Sequence, residues 1–210
     1  MDRKEKVKII LQRLEKEYPH AKTALNFETP FQLLVATILS AQTTDERVNS
    51  VTEILFKRFK TPQDFARADL NTIMEYIKSV NFYKNKAKNI KASAQKIIEL
   101  FGGEVPKTME ELITLPGVAR KTANIVLSEA YGINEGIAVD THVKRLAQRL
   151  GLSDYDIPEK IEKDLMEITP NDKWRDMSNL LILHGRKVCK AKNPNHNVCV
   201  LKDICPSNNI

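Results

Sequence analysis

The sequence has little of what marks membrane, secreted or all-β proteins. It contains no apolar run of about 18 residues, so no membrane-spanning helix is expected. The charged start, Met1–Lys6, lacks the apolar core of a signal peptide, which predicts a cytoplasmic protein. Strictly alternating apolar and polar residues are essentially absent, and no segment is rich enough in glycine or serine to be a flexible linker. These absences favour a helical protein whose 210 residues form one or two domains.

Cysteine is scarce, and all three cysteines stand after residue 188. An odd number of cysteines at one end of a chain expected to be cytoplasmic does not suit a disulfide framework. The spacing Cys189-x6-His196-x2-Cys199-x5-Cys205 indicates a metal or cluster site instead. Three thiolates and one imidazole suit either a [4Fe–4S] cluster or a zinc ion, and three unligated thiols are the plain alternative.

Basic residues outnumber acidic ones by 33 to 27, which gives a formal net charge of +6. This excess suggests a polyanionic partner such as nucleic acid, although many basic proteins bind none. A run of lysines with no acidic residue among them strengthens the signal: Lys84, Lys86, Lys88, Lys91 and Lys96. The run predicts either a surface that faces DNA or an ordinary solvated helix face.

Apolar residues recur at helical spacing through most of the chain, which predicts an all-α fold. One such set is Phe31, Leu34, Val35 and Ile38. Two capping-box patterns, Thr43-x-x-Glu46 and Thr108-x-x-Glu111, predict helix starts.

A lysine that follows a tight turn is the strongest chemical signal. Within Leu115–Ala123, the Pro116-Gly117 pair predicts a turn, and the apolar residues after it predict a helix. Unpaired amides and the dipole at such a helix start attract an anion, for example a DNA phosphate. Lys121 lies one step beyond, where an amine could attack a sugar beside that phosphate. Asp140, which precedes Thr141, is either a helix N-cap or a second site residue.

Four segments and the cysteine-rich tail carry a family resemblance. In chain order the segments are Leu39–Asp45, Leu115–Ala123, Val139–His142 and Leu183–Arg186. Over nearly the whole chain, the sequence resembles the endonuclease III family of helix-hairpin-helix DNA repair glycosylases. The resemblance implies an all-α, two-domain helix-hairpin-helix DNA glycosylase fold with a C-terminal iron–sulfur loop. It implies a six-helix domain over residues 23–135, and a second helical domain formed by residues 1–22 with 136–210.

The resemblance also implies an activity in base excision repair. The chain is expected to be a bifunctional DNA N-glycosylase that removes oxidised pyrimidines and cleaves the abasic site by β-elimination through a lysine Schiff base. Lys121 is the expected nucleophile, and burial beside Arg120 would favour its neutral amine. Asp140 is expected on the opposite wall of a cleft, where it either accepts a proton from the lysine or stabilises positive charge on the sugar.

Expected DNA contacts follow from the same family. They comprise the hairpin residues Pro116, Gly117, Ala119 and Arg120, the base-replacing residues Gln42 and Phe82, and the tail residues Lys190 and Lys192. Ala119 stands where the family usually has glycine, so its methyl group either holds a phosphate farther away or strains the backbone. Phe82 stands where relatives often have an aliphatic residue, and an ordinary core position is its alternative.

The family pattern has four cysteines in the tail, and His196 replaces the second of them here. The resemblance implies that Cys189, His196, Cys199 and Cys205 ligate a [4Fe–4S] cluster, with zinc as the alternative. The expected partner is double-stranded DNA that contains damaged bases or abasic sites. A monomer at the nucleoid, without membrane contact, is the expected state.

Two other functions are compatible with parts of the sequence. Relatives specialised for mismatched thymine or uracil, or for adenine, usually lack the lysine, so Lys121 argues against them. A non-catalytic helix-hairpin-helix module would explain the charge and the turn but would not require Asp140 or Gln42.

Overall fold

The computed structural model describes residues 1–209, and within them the chain forms eleven α-helices, three short 3-10 helices and no strand. The all-α prediction is confirmed. The α-helices are α1 Arg3–Glu17, α2 Pro30–Ser40, α3 Asp45–Arg58, α4 Pro62–Arg67, α5 Leu70–Ile77, α6 Tyr83–Phe101, α7 Met109–Leu112, α8 Arg120–Tyr131, α9 Thr141–Arg149, α10 Pro158–Ile168 and α11 Trp174–Lys187. The 3-10 helices are Asn171–Lys173, His196–Val198 and Lys202–Ile204. Along the described chain, no helix combines the length and the apolarity that a membrane crossing requires.

The chain divides into two compact units. One unit is Ala24–Ile133, and the other combines Met1–Thr23 with Asn134–Ile210. The first unit is built around α2, whose residues from Phe31 to Leu39 are all buried. The second has its own core, in which the apolar face of α1 packs with residues of α9, α10 and α11. Each unit therefore buries a separate set of apolar side chains.

Threonine side chains define several helix starts. Thr108 caps α7 and accepts a hydrogen bond from the amide of Glu111 at 3.3 Å, which confirms that helix start. The capping box predicted at Thr43 is wrong, because Thr44 is the N-cap of α3. A full capping box occurs instead at Thr61, with Asp64 as the reciprocal partner. Aspartate at the third helical position was not the expected signal, since glutamate or glutamine usually fills it.

Three lysines of the basic run hold chain turns together. Their ammonium groups donate hydrogen bonds to backbone carbonyls: Lys86 to Leu39 and Ala41, Lys91 to Ala66 and Ala68, and Lys96 to Thr114. Carbonyl groups at helix ends lack intrahelical partners and favour a nearby cation. A DNA-facing position is therefore wrong for the buried Lys86, whereas Lys91 and Lys96 are partly exposed and Lys84 and Lys88 are exposed on one face of α6.

Candidate functional site

The predicted turn joins α7 to α8 and needs a glycine at one position. Gly117 has a φ of 79°, in the left-handed region. A Cβ atom there would lie 2.8 Å from Nδ2 and 2.9 Å from Cβ of Asn89. Ser93 holds the same turn against α6, because its hydroxyl donates to the Pro116 carbonyl at 2.8 Å. Both the conformation and the space around Gly117 therefore exclude a side chain.

The start of α8 is open to an anion. Ala119 is the N-cap, and its side chain makes no capping hydrogen bond to the first-turn amides. Its φ of −93° and ψ of 168° are extended backbone that any residue adopts. Of the two alternatives for Ala119, backbone strain is therefore wrong, since the left-handed residue of the turn is Gly117. The uncapped amides and the helix dipole make this turn a place where a phosphate can bind.

Lys121 lies in the first turn of α8 and is exposed. Within Ala24–Ile133 its ammonium group makes no hydrogen bond or ion pair. Packing within this unit therefore does not bury the amine, so the expected burial of Lys121 is wrong there. The side chain is free to reach a bound ligand.

Asp140 is the N-cap of α9, in the other unit. One carboxylate oxygen, Oδ1, accepts hydrogen bonds from the backbone amides of His142 and Val143, both at 2.8 Å. The second oxygen makes no hydrogen bond within that unit. The half-buried carboxylate therefore caps the helix and still offers one acceptor. The helix-cap alternative and the site-residue alternative are compatible.

Gln42 and Phe82 share an unusual backbone conformation. Their φ angles are 54° and 58°, and both side chains are exposed, with Phe82 62% accessible. The core alternative for Phe82 is therefore wrong. Asn81 donates from Nδ2 to the Gln42 carbonyl at 2.5 Å, which brings the two segments together. Asn81 has no signal in the sequence, because a hydrogen bond between residues 39 positions apart leaves no local pattern.

The cysteine-rich tail surrounds one cavity. Cys189, His196, Cys199 and Cys205 all line it, together with the buried His184. The three cysteines are free thiols, and burial raises the pKa of both Cys199 and Cys205. Within residues 1–209, no three His, Cys, Asp or Glu side chains are arranged so that they could hold a metal ion. Three thiols and one imidazole around a cavity are nevertheless a donor set that fits a cluster.

Two arginines fasten this tail to α9. Arg145 donates from Nη2 to the carbonyls of Gly185 and Cys189, both at 3.0 Å. Arg149 donates to the carbonyl of Lys190 at 2.8 Å and to Sγ of Cys189 at 3.3 Å. Both arginines were missed, although their separation of four residues places them on one helix face.

His184 lies against the sulfur of the second cysteine in the tail. Its Nε2 is 3.4 Å from Sγ of Cys199, and its Nδ1 is 3.2 Å from the hydroxyl of Tyr18. Burial lowers the pKa of His184 to about 4, so the ring is neutral at neutral pH.

Lys190 and Lys192 are exposed on the loop that follows Cys189.

The comparisons with known proteins agree with this geometry. Residues 35–171 match the family model described as "HhH-GPD superfamily base excision DNA repair protein". The chain is 54% identical to endonuclease III of Synechocystis sp. over 98% of this chain and 94% of that one. It is 44% identical to endonuclease III of Bacillus subtilis, over 95% and 91% of the two chains. A solved trapped endonuclease III–DNA covalent intermediate superposes with a TM-score of 0.93 at 41% identity, covering 99% of this chain and 98% of that one. The chain therefore belongs to the endonuclease III family of the HhH-GPD superfamily of base excision DNA repair proteins.

Proposed function

We propose that this chain is a bifunctional DNA glycosylase and abasic-site lyase that removes oxidised pyrimidines from double-stranded DNA. The observation that carries the proposal is the exposed Lys121 in the first turn of α8, directly after an uncapped helix start. A phosphate bound by those amides would hold a nucleotide beside the amine. The trapped covalent complex of a relative that is 41% identical supports the same chemistry.

Lys121 is the proposed nucleophile. Its neutral amine attacks the sugar carbon C1′, the glycosidic bond breaks, and the base leaves with the bonding electron pair and takes up a proton. Loss of a proton from the new amine and opening of the sugar ring give a protonated imine. Removal of a proton from C2′ then expels the 3′ phosphate, which breaks the strand. Water hydrolyses the imine and frees the lysine.

Asp140 is the proposed carboxylate partner in this reaction. Its free oxygen can stabilise the positive charge that builds up on the sugar while the base departs, or accept the proton that the amine loses. The two amide hydrogen bonds to Oδ1 fix the carboxylate in one orientation. This fixation supports a role in which the charge must already be in place when the bond breaks.

The proposed DNA contacts divide into backbone contacts and base-replacing contacts. Backbone amides near Gly117 and Ala119, with the side chains of Arg120, Lys190 and Lys192, are proposed to bind phosphates, and Pro116 shapes the turn. Gln42 and Phe82 are proposed to fill the space that an extruded nucleotide leaves. Their exposure and their shared conformation support this role.

The proposed working form at the nucleoid is a monomer of two domains, residues 23–135 and residues 1–22 with 136–210. The two compact units support this division.

Cys189, His196, Cys199 and Cys205 are the proposed ligands of a [4Fe–4S] cluster, which would crosslink a tail that has few apolar side chains. Iron and acid-labile sulfide in the purified protein, with the visible absorbance of an iron–sulfur cluster, are the expected result. One zinc ion and no iron would contradict it. Because histidine ligation raises the potential of such clusters, His196→Cys should lower the reduction potential.

Borohydride reduction tests the proposed function. Wild-type protein incubated with duplex DNA that carries thymine glycol or an abasic site should give a covalent adduct, because borohydride reduces the imine to a stable amine. Lys121→Gln should give none while it still binds the duplex. Lys163→Gln removes an exposed lysine of α10 and should behave as wild type. A wild-type protein that binds DNA but forms no adduct would be a binding module without lyase activity.

A further inference from the structure

Two exposed residues hold a backbone conformation that side chains other than glycine rarely adopt. Gln42 follows α2 with a φ of 54°, and Phe82 precedes α6 with a φ of 58°. Such residues persist when the surrounding structure holds them, and they concentrate at functional sites. Neither residue is held by burial of its own side chain, since both are exposed. The restraint must therefore come from neighbours.

Asn81 supplies the first restraint. Its Nδ2 donates to the Gln42 carbonyl at 2.5 Å, across 39 positions of sequence. Because Asn81 directly precedes Phe82, this hydrogen bond ties the backbone of one exposed residue to the peptide that carries the other.

The buried Lys86 supplies the second restraint. Only 5% of this residue is accessible, and its ammonium group donates to the carbonyls of Leu39 and Ala41, at 2.7 and 2.5 Å, and to the Thr43 hydroxyl at 3.3 Å. An ammonium group has three donors, and all three are used on residues that flank Gln42. The backbone amide of Lys86 donates to the Phe82 carbonyl at 3.1 Å. One residue thus bonds to both segments.

We infer that Asn81 and Lys86 are positioning residues that hold Gln42 and Phe82 as a preformed pair for insertion into a DNA duplex. The inference rests on the proposed function, in which a nucleotide leaves the stack. Two side chains that enter a stacked duplex together must keep a fixed separation. A pair whose backbone is ordered before binding loses less freedom at insertion, so the duplex opens more readily.

Duplex and single-stranded substrates should respond differently, because only a duplex must be opened before the reaction. Strand cleavage at an abasic site in single-stranded DNA requires the lysine but no insertion. Cleavage in a duplex requires both. Loss of the positioning contacts should therefore slow the duplex reaction and leave the single-stranded reaction unchanged, an asymmetry that a general loss of folding would not produce.

Asn81→Asp is the sharpest variant, because it keeps the size of the side chain and removes the donors. Asn85→Asp adds the same charge four residues farther along the chain, on an exposed residue of α6, and is the matched control. We expect Asn81→Asp to lower kcat/KM on duplex DNA about fivefold relative to Asn85→Asp, the size expected for one lost hydrogen bond. Asn81→Ala, compared with Asn85→Ala, repeats the test without added charge.

A fluorescent base analogue next to the damaged nucleotide reports insertion directly. Wild-type protein and the Asn85 variants should change its emission on binding, and the Asn81 variants should give a smaller change at saturating protein. Equal emission and equal duplex rates for the Asn81 and Asn85 variants would overturn the inference. Absence of strand cleavage by wild-type protein on either substrate would overturn the proposed function instead, so the two failures are distinguishable.

Lys86→Met should show the same asymmetry between the two substrates, provided that its helical content and unfolding transition match those of wild type.

Discussion

Asp140 accepts a hydrogen bond from the backbone amide of Val143 at 2.8 Å, through the same oxygen that accepts the amide of His142. One carboxylate oxygen thereby caps the start of α9, and the other makes no hydrogen bond within that unit and is available for the proposed catalytic role. A structural and a catalytic role can thus be separated by choosing substitutions that keep or remove the cap.

Asparagine and alanine at position 140 should have different effects. Asparagine is as good an N-cap as aspartate, so Asp140→Asn should change the free energy of unfolding by less than about 0.5 kcal/mol, whereas Asp140→Ala should lose about 1 kcal/mol. Both should slow base release in single-turnover assays, by about a hundredfold or more, because both lose the carboxylate charge. Base release by Asp140→Asn at the wild-type rate would remove its catalytic role.

A pair of glycines tests the hairpin turn. Gly117→Ala adds a side chain at a positive φ and forces it against Asn89, whereas Gly132, with a φ of 67°, has no atom within 4 Å of an added Cβ. Gly132→Ala should therefore lose about 1 kcal/mol of stability, and Gly117→Ala should lose more. In fluorescence anisotropy, duplex affinity should fall for Gly117→Ala only. Equal affinities of the two variants would contradict a phosphate contact at this turn.

The hydrogen bonds of Arg149 to the cysteine-rich tail predict that this arginine helps to keep the tail ordered. Arg149→Met removes hydrogen bonds to the carbonyls of Lys190 and Ala191 and to the sulfur of Cys189. Hydrogen exchange of residues 189–205 should accelerate in this variant, while exchange in Ala24–Ile133 should not. Arg175→Met, which loses a surface contact with Asp176, serves as the control. Unchanged exchange in the tail would show that other contacts suffice to order it.

Lys86 predicts a pH dependence of stability. Burial lowers its pKa from 10.5 to about 8. Between these values the unfolded chain binds a proton that the folded chain has lost, so the contribution of this residue to stability rises with pH. The free energy of unfolding of wild type, relative to Lys86→Met, should rise by about 1 to 3 kcal/mol between about pH 8 and about pH 10. Urea unfolding across that range measures it. A difference between wild type and Lys86→Met that falls as the pH rises would contradict the predicted sign.

Sequence patterns predicted the helices and the turn because those signals are local. Apolar spacing marks α2, Thr108 marks the start of α7, and Pro116-Gly117 marks the turn, each within a few residues. The errors concern what a side chain does once the chain has folded. Lys86 looked like part of a basic surface, but its buried amine holds the segment around Gln42, to which no short-range pattern connects it. Asn81 had no signal for the same reason.

The most direct test is the position of the covalent adduct in the wild-type protein. After borohydride reduction with abasic duplex DNA, proteolysis and mass spectrometry should locate the modified amine. The account predicts one adduct, on the peptide that contains Lys121. An adduct on any other lysine or on the N-terminal amine, with Lys121 unmodified, would contradict it.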